Sequence, residues 1–243
     1  MKCKLCLNGE ARANSHIISK FFFKPMKEET GKFYHLEAGV RKREFKLQDG
    51  PKQPMLCYDC EQKIGRWENY WRQVIFSKPE EGDFGFRIEK GKVGILITGL
   101  DYTKFKLCQM SILWRAHESD LDCFREVNLG PHAERIRMMI LNEDPGTRTQ
   151  YGCFLAGVLE KKSKMLTGGI VLPERIRLDG HICYQALIGG LFWFWVVSSH
   201  SDRLRHAEHL IGPEGELEIP FRLANNIPFF GNLGKAFKEA GLI

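Results

Sequence analysis

From Cys60 onward, Ile64, Trp67, Trp71, Val74 and Ile75 recur at the spacing of one helical face, so the pattern predicts a helix that begins at a pair of cysteines. Upstream of it the apolar runs are short. Residues 31–36 and 43–47 read as strands, and Asp49-Gly50-Pro51 supplies turn chemistry before Met55, Leu56 and Cys57. A polar stretch over 77–83 carrying Pro79 and Gly82 ends the helix. Beyond it, 92–98 reads as a strand and 102–117 as a helix whose apolar face includes Phe105, Ile112, Leu113 and Ala116. Pro131 stands where another helix would start; it continues over 133–141 and is stopped by Asp144-Pro145-Gly146. The remainder is strand-rich, with runs at 152–159, 169–172, 181–188 and 191–198 and Gly189-Gly190 as a hairpin turn. Near the end, 218–223 reads as a strand and 233–240 as a short helix closed by Gly241. The run Phe192-Trp193-Phe194-Trp195 is apolar at every position, which suits a central strand covered on both faces or, failing that, a protein interface. The expected class is α+β: a small N-terminal module over 1–78, then a mixed α+β domain over 85–243 built on an antiparallel sheet.

Composition narrows the setting. The chain has 243 residues of which 43% are apolar, enough for a sizeable core. The longest apolar stretch, 187–197, is too short to span a bilayer as a helix, so no membrane association is expected. The start, Met-Lys-Cys-Lys-Leu-Cys, resembles no targeting peptide, and the expected compartment is the cytoplasm. A reducing compartment turns the eight cysteines from disulfide candidates into metal-ligand candidates. The formal net charge of +6 permits an anionic partner. Its distribution says more: Lys20, Lys24, Lys27, Lys32, Arg41, Lys42, Arg43, Lys46 and Lys52 all lie between two cysteine pairs.

Those pairs are Cys3-Lys4-Leu5-Cys6 and Cys57-Tyr58-Asp59-Cys60. Each spaces two thiolates so that a tight turn aims both sulfurs at one ion about 2.3 Å away, and together they make a closed tetrahedral set with no open position. Such an ion is structural zinc, whose binding helps fold a segment too short to bury a large core. A redox pair or accidental spacing are the alternatives, and no thioredoxin-like context surrounds either pair. Cys108, Cys123, Cys153 and Cys183 stand alone in apolar surroundings and read as small buried hydrophobes.

Between the pairs, Asn14-Ser15-His16-Ile17-Ile18 places a histidine before a β-branched run. A Cys-x-x-Cys, then His-Ile-Ile, then Leu-Cys-x-x-Cys opening a helix resembles the HNH, or ββα-metal, endonuclease superfamily over about the first 75 residues. The resemblance implies a zinc-stabilised treble-clef or ββα-type module in which His16 is the general base that activates water. It also implies a catalytic divalent ion, Mg²⁺ or Mn²⁺, set apart from the zinc. Ser15 stands where the family commonly has Asp or His, and Glu61 where a His commonly follows the last cysteine. Glu61 supplies oxygen for a hard cation, and Glu68, seven residues on along the same helical face, is the candidate second ligand. Both also fit a solvated helix face balanced by Lys63, Arg66 and Arg72. Lys20, Lys24, Arg41, Lys42 and Arg43 are then the residues that grip the DNA backbone. The implied activity is DNA phosphodiester hydrolysis, with defence against foreign DNA as its setting. The alternative is an inactive zinc module for nucleic-acid or protein recognition, and a protein partner or homo-oligomer fits either reading.

No catalytic motif marks the second unit. Its polar clusters are 114–119, holding Trp114, Arg115, His117 and Glu118, and 130–137, where His132, Arg135 and Arg137 flank a helix start suited to a phosphate. Both read more simply as surface helix with local ion pairs. The histidine-rich 199–209 reads as an exposed connection.

Overall fold

The computed structural model describes residues 1–11, 14–27, 29, 31, 33–35, 45–76, 85–161, 164–167, 169–178, 180–198 and 209–227. The chain opens on a tight turn in which Cys3 N–H donates to Gly9 O at 2.7 Å and Leu7 N–H to Cys3 O at 2.9 Å. Two short antiparallel ladders follow. Strand β1 (Ser15–His16) pairs with β4 (Lys52–Gln53), and β2 (Phe33–His35) pairs with β3 (Phe45–Leu47) between them. A 3₁₀ segment, Lys20–Met26, leaves β1 and buries Phe22 and Phe23.

Helix α1 (Tyr58–Phe76) starts one residue after Cys57 and buries Cys60, Ile64, Trp67, Trp71 and Val74, the stripe expected from its spacing. Strands β5 (Arg87–Lys90) and β6 (Gly94–Thr98) lead into α2 (Tyr102–Glu118), whose first turn is capped by the Asp101 carboxylate accepting from Lys104 N–H at 2.9 Å. Every residue of α2 from Phe105 to Ala116 is buried, so this helix lies at the centre of the molecule rather than on its surface. That corrects the surface reading of the 114–119 cluster. Helix α3 (His132–Asn142) follows, and ends in a left-handed cap at Glu143.

The strand-rich half contributes β7 (Cys153–Lys161), β8 (Lys164–Met165), β9 (Val171–Leu178), β10 (His181–Ile188), β11 (Leu191–Val196) and β12 (Leu217–Leu223). They join β5 and β6 in one eight-stranded sheet of order β5-β6-β12-β7-β11-β10-β9, with β8 beside β7. Neighbours are antiparallel except β12 and β7, which run parallel. Gly189 and Gly190 both have positive φ, 63° and 79°, as a two-residue hairpin requires. The expected strand over 169–172 extends to Leu178 straight through Pro173, which is tolerated because β9 is a sheet edge. The aromatic run in β11 does alternate: Trp193 and Trp195 are fully buried while Phe192 and Phe194 are half-buried on the other face.

One hydrophobic core runs from Cys3 and Leu5 through α1 and α2 to Leu217 and Ile219, so the described residues of the two expected units share their interior. Its seam is a column of rings. Phe105 stacks on Trp71 at 4.2 Å, Trp71 on Trp193 at 4.6 Å, and Trp193 on Trp195 at 5.2 Å. Trp71 donates its indole N–H to Phe105 O, and Trp195 donates to Gln109 O, tying α1 and the sheet to α2. The expected break over 77–83 and the expected helix over 233–240 lie outside the described residues.

Candidate metal centre and histidine site

The Sγ atoms of Cys3, Cys6, Cys57 and Cys60 all lie within 4.8 Å of one another. Cys6 Sγ and Cys57 Sγ are 3.7 Å apart. A tetrahedron with metal–sulfur bonds of about 2.3 Å has edges of about 3.8 Å, so the donor set fits zinc. The first turn aims its two sulfurs through Leu7, held at φ 63°, and through Gly9, whose N–H donates to Cys6 Sγ at 3.4 Å. A Cβ on Gly9 would stand 2.6 Å from Cys57 Cβ, so the two turns close only over a glycine. Burial pushes the Cys6 thiol up, but the N–H groups of Gly9 and Asn8 and the thiols of Cys3 and Cys57 outweigh it and bring it down to about 6. Cys57 and Cys60 go the other way: burial, reinforced for Cys60 by its neighbours' sulfurs, raises both. Four sulfurs that converge this closely can serve as the ligands of one cation, whose binding would release the thiol protons.

Cationic side chains from outside the cysteines hold this cluster in place. Lys4 donates to Glu118 O at the end of α2 and to Asp120 Oδ2 at 3.1 Å. Arg137 of α3 donates to Leu5 O while gripping Glu134 with two bonds of 2.7 Å. Arg137 therefore serves the knuckle and is not part of an open phosphate site. His132, at the start of α3, meets Tyr151 Oη at 3.1 Å.

His16 sits at the second position of β1 with its side chain 20% exposed, opposite Lys52 of β4. Its Nε2 lies 3.0 Å from Asp49 Oδ1. That carboxylate also accepts from Gly50 N–H and from Lys52 Nζ, each at 3.1 Å. Burial would raise Asp49, yet the hydrogen bonds from His16 and Lys52, the charge of a protonated His16 and the Gly50 N–H hold it down at about 2. An ionised Asp49 only accepts, so in a neutral His16 the tautomer that makes this bond carries its proton on Nε2 and leaves Nδ1 unprotonated. Nδ1 has no hydrogen-bond partner among the described residues.

The other expected site residues divide. Ser15 is buried and accepts the Leu56 N–H at 3.1 Å, fastening β1 to the segment that enters Cys57. Asn14, the neighbour of Ser15, is exposed, and the imidazole of His16 bonds to Asp49. Glu61 has one carboxylate oxygen, Oε1, buried without a hydrogen-bond partner among the described residues. Glu68 accepts from Ser19 Oγ at 2.7 Å and from Arg115 Nη2 at 2.6 Å. Among the described residues the four cysteines are the one place where three or more His, Cys, Asp or Glu side chains converge, so Glu61 and Glu68 form no such group with His16 or Asp49. Lys20 and Lys24 are exposed on the 3₁₀ segment; Arg41, Lys42 and Arg43 lie outside the described residues, as do 199–208. Cys108, Cys153 and Cys183 are buried as expected, whereas Cys123 is exposed, because the 3₁₀ turn that carries it turns Phe124 inward instead.

Asp49 was legible only as a turn residue. Its one local signal is Lys52, three residues on.

Comparison with protein-family models, curated proteins and solved structures found no match. No helix among the described residues is long and apolar enough to cross a membrane.

Proposed function

We propose that the chain is a metal-dependent DNA endonuclease of the HNH type, its first 76 residues forming a treble-clef module around structural zinc. The observation that carries this reading is the His16–Asp49 pair: a half-buried imidazole held at Nε2 by a carboxylate, with Nδ1 left as acceptor. In this reading Nδ1 takes a proton from the attacking water, and Asp49 stabilises the imidazolium that results. A divalent cation supplies charge stabilisation at the scissile phosphate when bound. Glu61 fits such an ion, since its buried Oε1 has no hydrogen-bond partner among the described residues. One carboxylate with water and substrate phosphate is an ordinary ligand set for Mg²⁺. Lys20 and Lys24 are exposed beyond β1, where they would meet the phosphate backbone.

The absence of a second converging group of three ligands among the described residues favours a second reading, a zinc module that binds nucleic acid without cutting it. Plasmid incubated with the protein in Mg²⁺, Mn²⁺ or EDTA separates them. Cleavage that needs the ion and is lost in His16→Ala supports the nuclease. Cleavage unchanged in His16→Ala removes His16 as base, and salt-sensitive DNA binding without cleavage under any ion establishes the second reading.

A further inference from the structure

The strand that carries His16 is two residues long and pairs with only two residues of β4. A ladder of that length does not fix its own register. Neighbouring bonds from outside the ladder fix it: Ser15 Oγ accepts Leu56 N–H at 3.1 Å, and Ile17 N–H donates to Pro51 O at 3.0 Å. The third bond comes from far away in sequence. Arg115, at the fourteenth position of α2 and with its side chain 1% exposed, donates from Nη1 to His16 O at 2.7 Å. Its Nη2 meets Glu68 Oε1 at 2.6 Å and its Nε meets Ser111 O at 3.2 Å. Glu68 Oε1 also takes the hydroxyl of Ser19, three residues beyond His16.

A guanidinium so deeply buried is costly without partners, and here its planar fork is filled on three sides. Two of those partners lie on or bond directly to the β1 segment, one before and one after Ile17 and Ile18. The geometry points to Arg115 as a positioning residue for His16: it holds the strand from behind while Asp49 holds the ring from the front. Glu68 completes the clamp by fixing the guanidinium and Ser19 together. This assigns the second unit a role in the site, and it rests on the reading of His16 as the base.

Three variants test it: Arg115→Lys, Arg115→Met and the double variant Arg115→Met with Glu68→Met, which removes the buried pair as a whole. Each is measured for bound zinc, circular dichroism, plasmid cleavage, DNA affinity and the ¹⁵N shifts of the His16 ring. In a zinc-loaded, folded double variant, cleavage is expected to fall by about ten- to a hundredfold with DNA affinity unchanged, the loss that a displacement of about 1 Å produces. The His16 ring signals shift with it, and Arg115→Lys recovers part of both. A folded Arg115→Met or double variant with unmoved His16 signals overturns the proposal, whether or not the wild type cuts DNA. If Arg115→Met alone fails to fold, the double variant and Arg115→Lys decide. A wild type that cuts nothing while the His16 signals move in the variants upholds the clamp and removes only the nuclease reading.

Discussion

Removing the metal from the four-cysteine centre is expected to unfold the whole chain, not merely its first quarter. The knuckle donates no independent core: Cys3 and Leu5 are fully buried within the same interior that holds the sheet. Loss of the ion frees the first turn from Lys4→Glu118 O and Arg137→Leu5 O, two hydrogen bonds from charged groups worth about 1.5–3 kcal/mol each. It also exposes Leu5 and Leu56, whose burial is worth about 1.5–3 kcal/mol apiece. The combined loss, about 6–12 kcal/mol, matches the whole stability of an ordinary domain, about 5–15 kcal/mol. Hydrogen exchange with and without a strong zinc chelator, read by mass spectrometry, checks this. Amides of β10 and β11, remote from the cysteines in sequence, should lose protection together with those of α1. Protection there that survives chelation while α1 exchanges freely would instead show two separately stable units.

Three further outcomes follow from single side chains. Gly9→Ala drives a methyl group to within 2.6 Å of Cys57 Cβ, and zinc affinity measured by competition with a chromogenic chelator should drop at least about tenfold. Asp49 ionises at about 2 against an ordinary 3.8, so it stabilises the fold fully above about pH 4 and loses that effect as pH falls towards 2. With allowance for its partial exposure, Asp49→Asn should cost about 1–2 kcal/mol in urea unfolding at pH 7, with the difference from wild type shrinking only as pH falls from about 4 towards 2. Lys106 is buried against Tyr102 Oη, 3.1 Å away, and Thr147 O, and burial lowers it to about 7 despite the charge of Asp144. The unfolded chain therefore binds more protons than the folded one between about pH 7 and 10, stability should rise across that window, and Lys106→Met should flatten the slope of the urea midpoint against pH.

Much of the fold could be read from local pattern because its causes are local. The stripe from Ile64 to Val74 and the paired glycines at 189 and 190 state their geometry within a few residues. The convergence of the four cysteines was equally readable, because two Cys-x-x-Cys pairs announce by their spacing a set that could share one ion. Where the reading went astray, the deciding partner was distant. Glu68 looked like a ligand because it shares a helical face with Glu61, yet the groups that claim it are Ser19 and Arg115, 49 and 47 residues away. Arg115 looked like a surface residue because nothing in its neighbourhood shows that α2 is covered on all sides. Strand β5 is exposed at each of its four positions, so no alternation announced it, and only pairing with β6 makes it a strand. Asp49 read as a turn former, which it also is, since its own carboxylate takes the Gly50 N–H.

The ring column through Phe105, Trp71, Trp193 and Trp195 also equips the chain with an optical gauge. Indole planes tilted by 25° and 27° at such short separations share their excited states, so their near-ultraviolet ellipticity belongs to the assembled column rather than to any one tryptophan. Trp71 rides on α1, the helix that carries Cys60, and the other two indoles on the sheet. The signal therefore reports, without a label and in real time, whether the helix that starts at the four-cysteine cluster is seated on the sheet.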